Sequence, residues 1–170
     1  MKPVIIAIVG ASGSGKTTLS KLLENQMGIL SIVSYTTRPK REDETNGVEH
    51  WFVNESDMPG RELMLAYTVF SGYHYWATHR QVQDAGIISY VIDEIGLREL
   101  MVRYGTIYEV VPILVKRDKN LIAQCVDQQR IQRDEERELI PEKDYMGIIY
   151  NNGSMEELLA QAKTILKTII

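Results

Sequence analysis

Residues 10–17 read Gly10-Ala11-Ser12-Gly13-Ser14-Gly15-Lys16-Thr17, a G-x-x-x-x-G-K-[ST] loop directly after the apolar run Val4-Ile5-Ile6-Ala7-Ile8-Val9. Each residue type has a mechanical task. Glycines let the backbone turn tightly and bring successive N–H groups against phosphate oxygens. A lysine at the end of the loop reaches the β- and γ-phosphates, and the hydroxyl after it can ligate Mg²⁺. Thr18-Leu19-Ser20-Lys21-Leu22-Leu23 continues as an amphipathic helix whose N-terminus would point at the anion. A buried strand before the loop and a helix after it supply the context the motif requires.

Working outward, residues 4–9 read as a strand, 16–27 as a helix ending near Gly28, and 29–33 as a short strand. Further strands are expected at 50–53, 66–70, 86–93, 108–115 and 145–150. Helices are expected at 57–65, 97–104, 121–139 (long, polar and open to a break) and 154–169, and residues 75–85 should begin extended and turn helical. Strands alternating with helices imply a three-layer α/β/α fold with a mostly parallel sheet. Two segments interrupt the alternation, a β-rich aromatic one at about 34–80 and an arginine-bearing one at about 117–137. The core would then comprise about 1–33, 81–116 and 138–170, in a single domain. Both interruptions follow strand carboxyl ends, where ligands bind in such sheets, so both could close over the loop.

Composition narrows the class. The chain has 170 residues, 44% hydrophobic and 25% charged, with a net charge of −4. An acidic chain argues against general nucleic-acid binding, and basic residues clustered at Arg38-Pro39-Lys40-Arg41 and around Arg130, Arg133 and Arg137 suit a small anionic ligand. No apolar run reaches membrane-span length, and the N-terminus enters a strand without a signal-peptide pattern. The single cysteine, Cys125, excludes an internal disulfide, fits a cytoplasmic location and reads as a small packing residue. The expected state is a monomer or a homodimer.

Residues 34–53, Ser-Tyr-Thr-Thr-Arg-Pro-Lys-Arg-Glu-Asp-Glu-Thr-Asn-Gly-Val-Glu-His-Trp-Phe-Val, resemble the guanylate kinase family. That family carries S-x-T-T-R-x-x-R-x-x-E-x-N-G-x-x-Y-x-F-V at this distance after its phosphate loop. Phe70-Ser71-Gly72-Tyr73-His74-Tyr75 is similar to its later G-x-x-Y segment. The resemblance covers residues 4–95 and is loose beyond. It implies a phosphate-loop kinase that uses ATP and Mg²⁺. Gly10, Ala11, Ser12, Gly13, Ser14, Gly15, Lys16, Thr17 and Thr18 would hold ATP, with Thr17 and Asp93 supporting the metal. The acceptor monophosphate would lie on Arg38, Arg41, His50 and Tyr75, with Ser34 and Asp93 at base-contacting positions. His50 stands where the family has tyrosine. Arg130 and Arg133 would be the lid arginines that act with Lys16, Arg38 and Arg41 on the transferred group, with Arg137 a weaker candidate.

The base-reading positions depart from the family. Its guanine-reading glutamate aligns with Ala66, its small hydroxyl residue with Ala77, and a glycine with Trp76. A nucleoside monophosphate acceptor, GMP or a relative, is the first expectation. A ribose-phosphate acceptor, as in the related ribose-bisphosphate phosphokinases, stays open, as does a non-catalytic phospho-ligand module. The tail Asn151-Asn152-Gly153 followed by Ser154-x-x-Glu157 reads as a turn entering a capping box.

Overall fold

A computed structural model describes residues 2–83 and 85–169. Strand β1 (Val4–Val9) is buried along its whole length. It lies between β6 (Ile87–Val91) and β7 (Glu109–Lys116), parallel to both, and β8 (Gly147–Tyr150) continues the sheet in the order β6-β1-β7-β8. A strand covered on both faces must be apolar at every position, which explains the unbroken run at 4–9.

The pleat of β1 divides the core. Val4, Ile6 and Ile8 face one layer with Leu19 and Leu23 of α1 (Lys16–Met27) and Leu158, Ala162 and Leu166 of α6 (Met155–Leu166). Ile5, Ala7 and Val9 face the other, with Leu97, Leu100 and Tyr104 of α3 (Glu94–Tyr104). The three-layer α/β/α expectation is met. Among the described residues, no helix is long and apolar enough to cross a membrane.

The expected β-rich insertion forms a second sheet in the order β3-β2-β5-β4, from β2 (Tyr35–Thr36), β3 (Trp51–Phe52), β4 (Met64–Phe70) and β5 (Tyr73–Thr78). It docks on α3 through Leu65, Ala66 and Ala77, and the Tyr104 hydroxyl donates to the Met64 carbonyl at 3.1 Å. A short helix α2 (Arg80–Gln83) leads back to the parallel sheet.

Three sequence expectations are corrected. The helix expected at 57–65 is replaced by two 3-10 turns, Glu55–Asp57 and Arg61–Leu63. Pro59 forces Met58 out of the α region, to φ −66° and ψ 132°, so no helix propagates through it. The strand expected at 29–33 shrinks to a single bridge from Ser31 to Ser89 at the sheet edge. The break that the reading of 121–139 allowed for is present, between α4 (Lys119–Ala123) and α5 (Gln128–Glu135). Asp127 starts α5 afresh, its carboxylate accepting the Arg130 N–H at 2.9 Å. Cys125 falls in the break between them and is exposed, not a packing residue.

Candidate functional site

The phosphate loop leaves the carboxyl end of β1 and runs into α1. Gly15 is its hinge, at φ 103°, a left-handed conformation that glycine adopts without strain. A Cβ there would strike Asn151, whose side-chain amide donates to the Ser14 carbonyl at 2.8 Å. The Arg117 guanidinium donates to the Gly13 carbonyl at 3.2 Å. Asn151 follows β8 and Arg117 follows β7, so two neighbouring strand ends brace the loop from behind. Sequence reading took Asn151 only as a turn residue, because nothing local links it to a loop 137 positions away.

Within the loop, the Lys16 ammonium donates to the Gly10 and Ala11 carbonyls at 2.8 and 2.9 Å. Burial, with Arg137 the strongest of the nearby cations, lowers its pKa from 10.5 to about 8. Thr17 is exposed on the first turn of α1, and Thr18 is half-buried beside it.

The Ser12 N–H, on the rim of the same loop, donates to the Asp134 carboxylate of α5 at 2.6 Å. A carboxylate thus takes a backbone N–H of the kind that holds phosphate in such a loop. An incoming nucleotide must displace it, and the affinity measured is reduced by that competition. Asp134→Asn is therefore expected to tighten ADP binding about 3- to 10-fold, since a neutral acceptor bonds less strongly than a charged one. Calorimetric titration of both proteins with ADP measures this. Weaker binding by the variant would mean that Asp134 serves the nucleotide instead.

A cleft of 730 Å³ opens in front of the loop. One wall carries Gly10, Ser12 and Lys16; the second sheet contributes Ser34, His50, Ala66, Thr68, Phe70 and Tyr75; Asp93 and Glu94 come from the end of β6 and start of α3; Arg133, Asp134 and Arg137 close it from the lid side. Of the expected acceptor residues, Ser34, His50, Tyr75 and Asp93 line this cleft. Ser34 Oγ and His50 Nδ1 are hydrogen-bonded at 2.9 Å. Burial, with the nearby Arg38 charge, pushes His50 below its ordinary pKa, so the ring is neutral at pH 7.

Arg38 stands just behind. Its fork grips Glu44 at 2.7 and 3.0 Å and its guanidinium lies 5.3 Å from the Phe52 ring centroid. That contact and the Arg41 N–H, donated to the same carboxylate at 2.8 Å, hold Glu44 down at a pKa of about 2. Arg41 and Arg130 line a neighbouring cleft between the second sheet and the lid, together with Arg133, Asp43 and Asp127. Arg133 thus faces both clefts, its guanidinium 5.8 Å from the Phe70 ring centroid.

Asp93 is partly committed elsewhere. Its Oδ1 accepts the Gly96 N–H at 2.7 Å and caps α3. Glu94, absent from the sequence expectations, is the more buried carboxylate and pairs with Arg137. Its neighbour Asp93 matched the family and drew the reading; only the fold turns Glu94 into the cleft.

The departures from the family separate by face. Trp76 points away from the cleft, 1% exposed, stacked 5.6 Å from Tyr35, which in turn stacks at 6.4 Å on Trp51. It fills the far side of the second sheet and leaves the cleft open. Ala77 packs in the core. Ala66 is different. It sits at φ 53° in a bulge where Ala66 and Tyr67 together oppose Trp76, and the Tyr67 N–H leaves the ladder for the Glu99 carboxylate at 2.9 Å. The bulge presents Ala66 to the cleft, so a methyl group stands at the wall.

The guanylate kinase family model matches residues 1–93. The chain is 40% identical to guanylate kinase of Neisseria gonorrhoeae over 99 residues, 55% of this chain and 48% of that protein. Against guanylate kinase of Prochlorococcus marinus it is 30% identical over 96% of this chain and 97% of the relative. The chain thus spans about half the length of the Neisseria relative and nearly all of the Prochlorococcus one. In fold it is similar to the crystal structure of guanylate kinase from Anaplasma phagocytophilum, with a TM-score of 0.65, 19% identity and coverage of 99% of this chain and 87% of that one. A sugar kinase from Janibacter follows at a TM-score of 0.54 and 14% identity, covering 99% of this chain and 96% of that one. With the family model matched over residues 1–93, a relative 30% identical over nearly its whole length, and the phosphate loop sharing one cleft with Ser34, His50 and Tyr75 of the second sheet, the chain belongs to the guanylate kinase family.

Proposed function

We propose that this chain transfers the γ-phosphoryl group of ATP to a small monophosphate, with residues 34–80 as the acceptor-binding segment and 117–137 as the lid. The observation that carries the reading is the shared cleft: Lys16 of the donor loop opens onto the same 730 Å³ space as Ser34, His50 and Tyr75. An oxygen of the acceptor phosphate attacks the γ-phosphorus as the bond to the ADP oxygen breaks, without a covalent enzyme intermediate. Catalysis is then positioning and charge neutralisation. Lys16 leaves the loop carbonyls to bridge donor and acceptor phosphates, Arg38 and Arg41 hold the acceptor, and Arg130 and Arg133 approach from the lid.

The donor set fits Mg²⁺ arriving with the nucleotide. Among the described residues no cluster of three or more His, Cys, Asp or Glu side chains could hold an ion unaided. The Thr17 hydroxyl and the Asp93 carboxylate are hard oxygen donors of the kind that supplement phosphate and water ligands. When bound, Mg²⁺ supplies charge neutralisation on the phosphate oxygens.

The acceptor base is where this chain parts from a guanine reader. Ala66 offers no carboxylate to the guanine N–H groups, and unpaired donors in a buried site are costly. A nucleoside monophosphate read without that carboxylate fits the cleft; a ribose phosphate is the second reading, favoured by the same methyl wall. Coupled ADP release with a panel of nucleoside and ribose monophosphates tests both. Turnover with at least one acceptor, and a GMP preference of no more than about tenfold, is expected. No turnover with any acceptor alongside tight phosphopeptide binding would replace the kinase with a binding module.

A further inference from the structure

We infer that Glu94 is a positioning residue that holds Arg137, and that Arg137 is the lid-side arginine set on the phosphoryl group in transfer. The inference rests on the kinase reading above. The three arginines of the lid differ in where they stand. Arg130 lines the neighbouring cleft beside Arg41 and is absent from the wall with Lys16. Arg133 lies over Phe70, its Nε donating to the Gln129 carbonyl of its own helix at 3.3 Å. Arg137, just past the end of α5, lines the cleft that holds Gly10, Ser12 and Lys16, is the cation that acts most strongly on Lys16, and has its guanidinium fork on both oxygens of Glu94.

Glu94 has the placement of an orienting group. Its side chain is 4% exposed, and it stands on the first residue of α3, at the rigid edge of the parallel sheet. Asp93 makes the helix cap, so Glu94 is not needed for that purpose. A carboxylate buried at the mouth of a phosphate site would repel the substrate unless neutralised, and Arg137 is its ion-pair partner among the described residues. The fork engages Nε and one Nη2 proton, leaving three of the five guanidinium N–H donors for phosphate oxygens. A planar group gripped on one edge, with donors spare on the other, is pre-organised for charge that develops during transfer. The sequence ranked Arg137 below Arg130 and Arg133 because helical spacing alone does not show which arginine meets a carboxylate 43 positions away.

The test compares Arg137→Ala, Arg137→Lys and Glu94→Gln with the wild type, using an acceptor found active in the panel. Arg137→Ala is expected to lower kcat about 10²- to 10³-fold with ADP affinity within threefold of the wild type. Arg137→Lys should fail to rescue, since an ammonium cannot be gripped and donate as a fork. Glu94→Gln keeps an acceptor oxygen and should fold, with kcat about tenfold lower and the acceptor KM unchanged. Circular dichroism identifies any variant that does not fold, and Glu94→Gln then carries the decision. If Arg137→Ala and Glu94→Gln lose thermal stability while kcat stays within twofold, the pair is a structural tie and the inference falls. Should the wild type phosphorylate no acceptor, the kinase reading fails by itself. The pair is then judged by affinity for a non-hydrolysable ATP analogue relative to ADP: an unchanged ratio in Arg137→Ala overturns it, and loss of the γ-phosphate contribution supports it.

Discussion

Lys16→Ala should abolish nearly all phosphotransfer, with kcat/KM falling about 10³-fold while the fold stays intact. The ammonium is the cation of the loop, donating to the Gly10 and Ala11 carbonyls. Burial already penalises its charge, and its pKa is lowered from 10.5 to about 8. Phosphate oxygens would reverse that penalty, so nucleotide binding should restore the proton. The sign follows from linkage. Between 8 and 10.5 the unfolded chain binds more protons at this lysine than the folded one, so ligand-free stability at this site rises with pH across that window. ADP, which favours the protonated lysine, should bind more weakly as pH climbs above about 8, approaching tenfold per unit. Titration with ADP in chelator from pH 7 to 9.5 measures the slope, which should vanish in Lys16→Ala. A flat profile in the wild type would mean that Lys16 does not meet phosphate.

Arg38→Ala should raise the acceptor KM about 10²-fold, from the loss of a charge-assisted fork on phosphate. Its effect should exceed that simple loss. Glu44 is held at a pKa of about 2 by Arg38 and the Arg41 N–H, and is therefore ionised at any working pH. Removing Arg38 leaves that carboxylate unpaired beside the acceptor site, where it repels the incoming phosphate. The double variant Arg38→Ala/Glu44→Ala should regain part of the loss, which separates repulsion from missing attraction. Steady-state kinetics with ATP saturating and acceptor varied measures both. The wild-type pair should also endure acid. A carboxyl depressed from 4.5 to about 2 contributes stability that is fully present above its unfolded pKa and is lost progressively as pH falls from there through the lower value.

Much of this architecture is legible along the chain. An apolar run at 4–9, too uniform for a half-exposed strand, announces a strand buried on both faces, and the glycine loop after it announces an anion site at the sheet's carboxyl edge. Ser154 and Glu157 announce the start of α6, and the structure has their reciprocal capping box. Where the chain misled, a local competitor was stronger than the pattern. Pro59 stopped a helix, and the 29–33 segment made only a one-residue bridge at the sheet edge.

The site divides in the same way. Candidates marked by backbone shape or by a short motif, Gly15, Lys16, Arg38 and Arg41, can be proposed from sequence because each motif lies in one segment. Asp134 on the Ser12 N–H, Asn151 on the Ser14 carbonyl and Glu94 against Arg137 join positions 122, 137 and 43 apart. No periodicity encodes such pairs, since they exist only after sheet order and lid placement bring strand ends together. Trp76 makes the point in reverse: a large residue at a glycine position looks like an obstruction until the pleat of β5 turns it to the far face. What the chain alone determined is a phosphate loop followed by the T-T-R-x-x-R segment of its family, because local backbone geometry dictates those residue types. Which carboxylates and guanidiniums meet across the cleft was decided by tertiary packing, because electrostatic partners are chosen by distance in space.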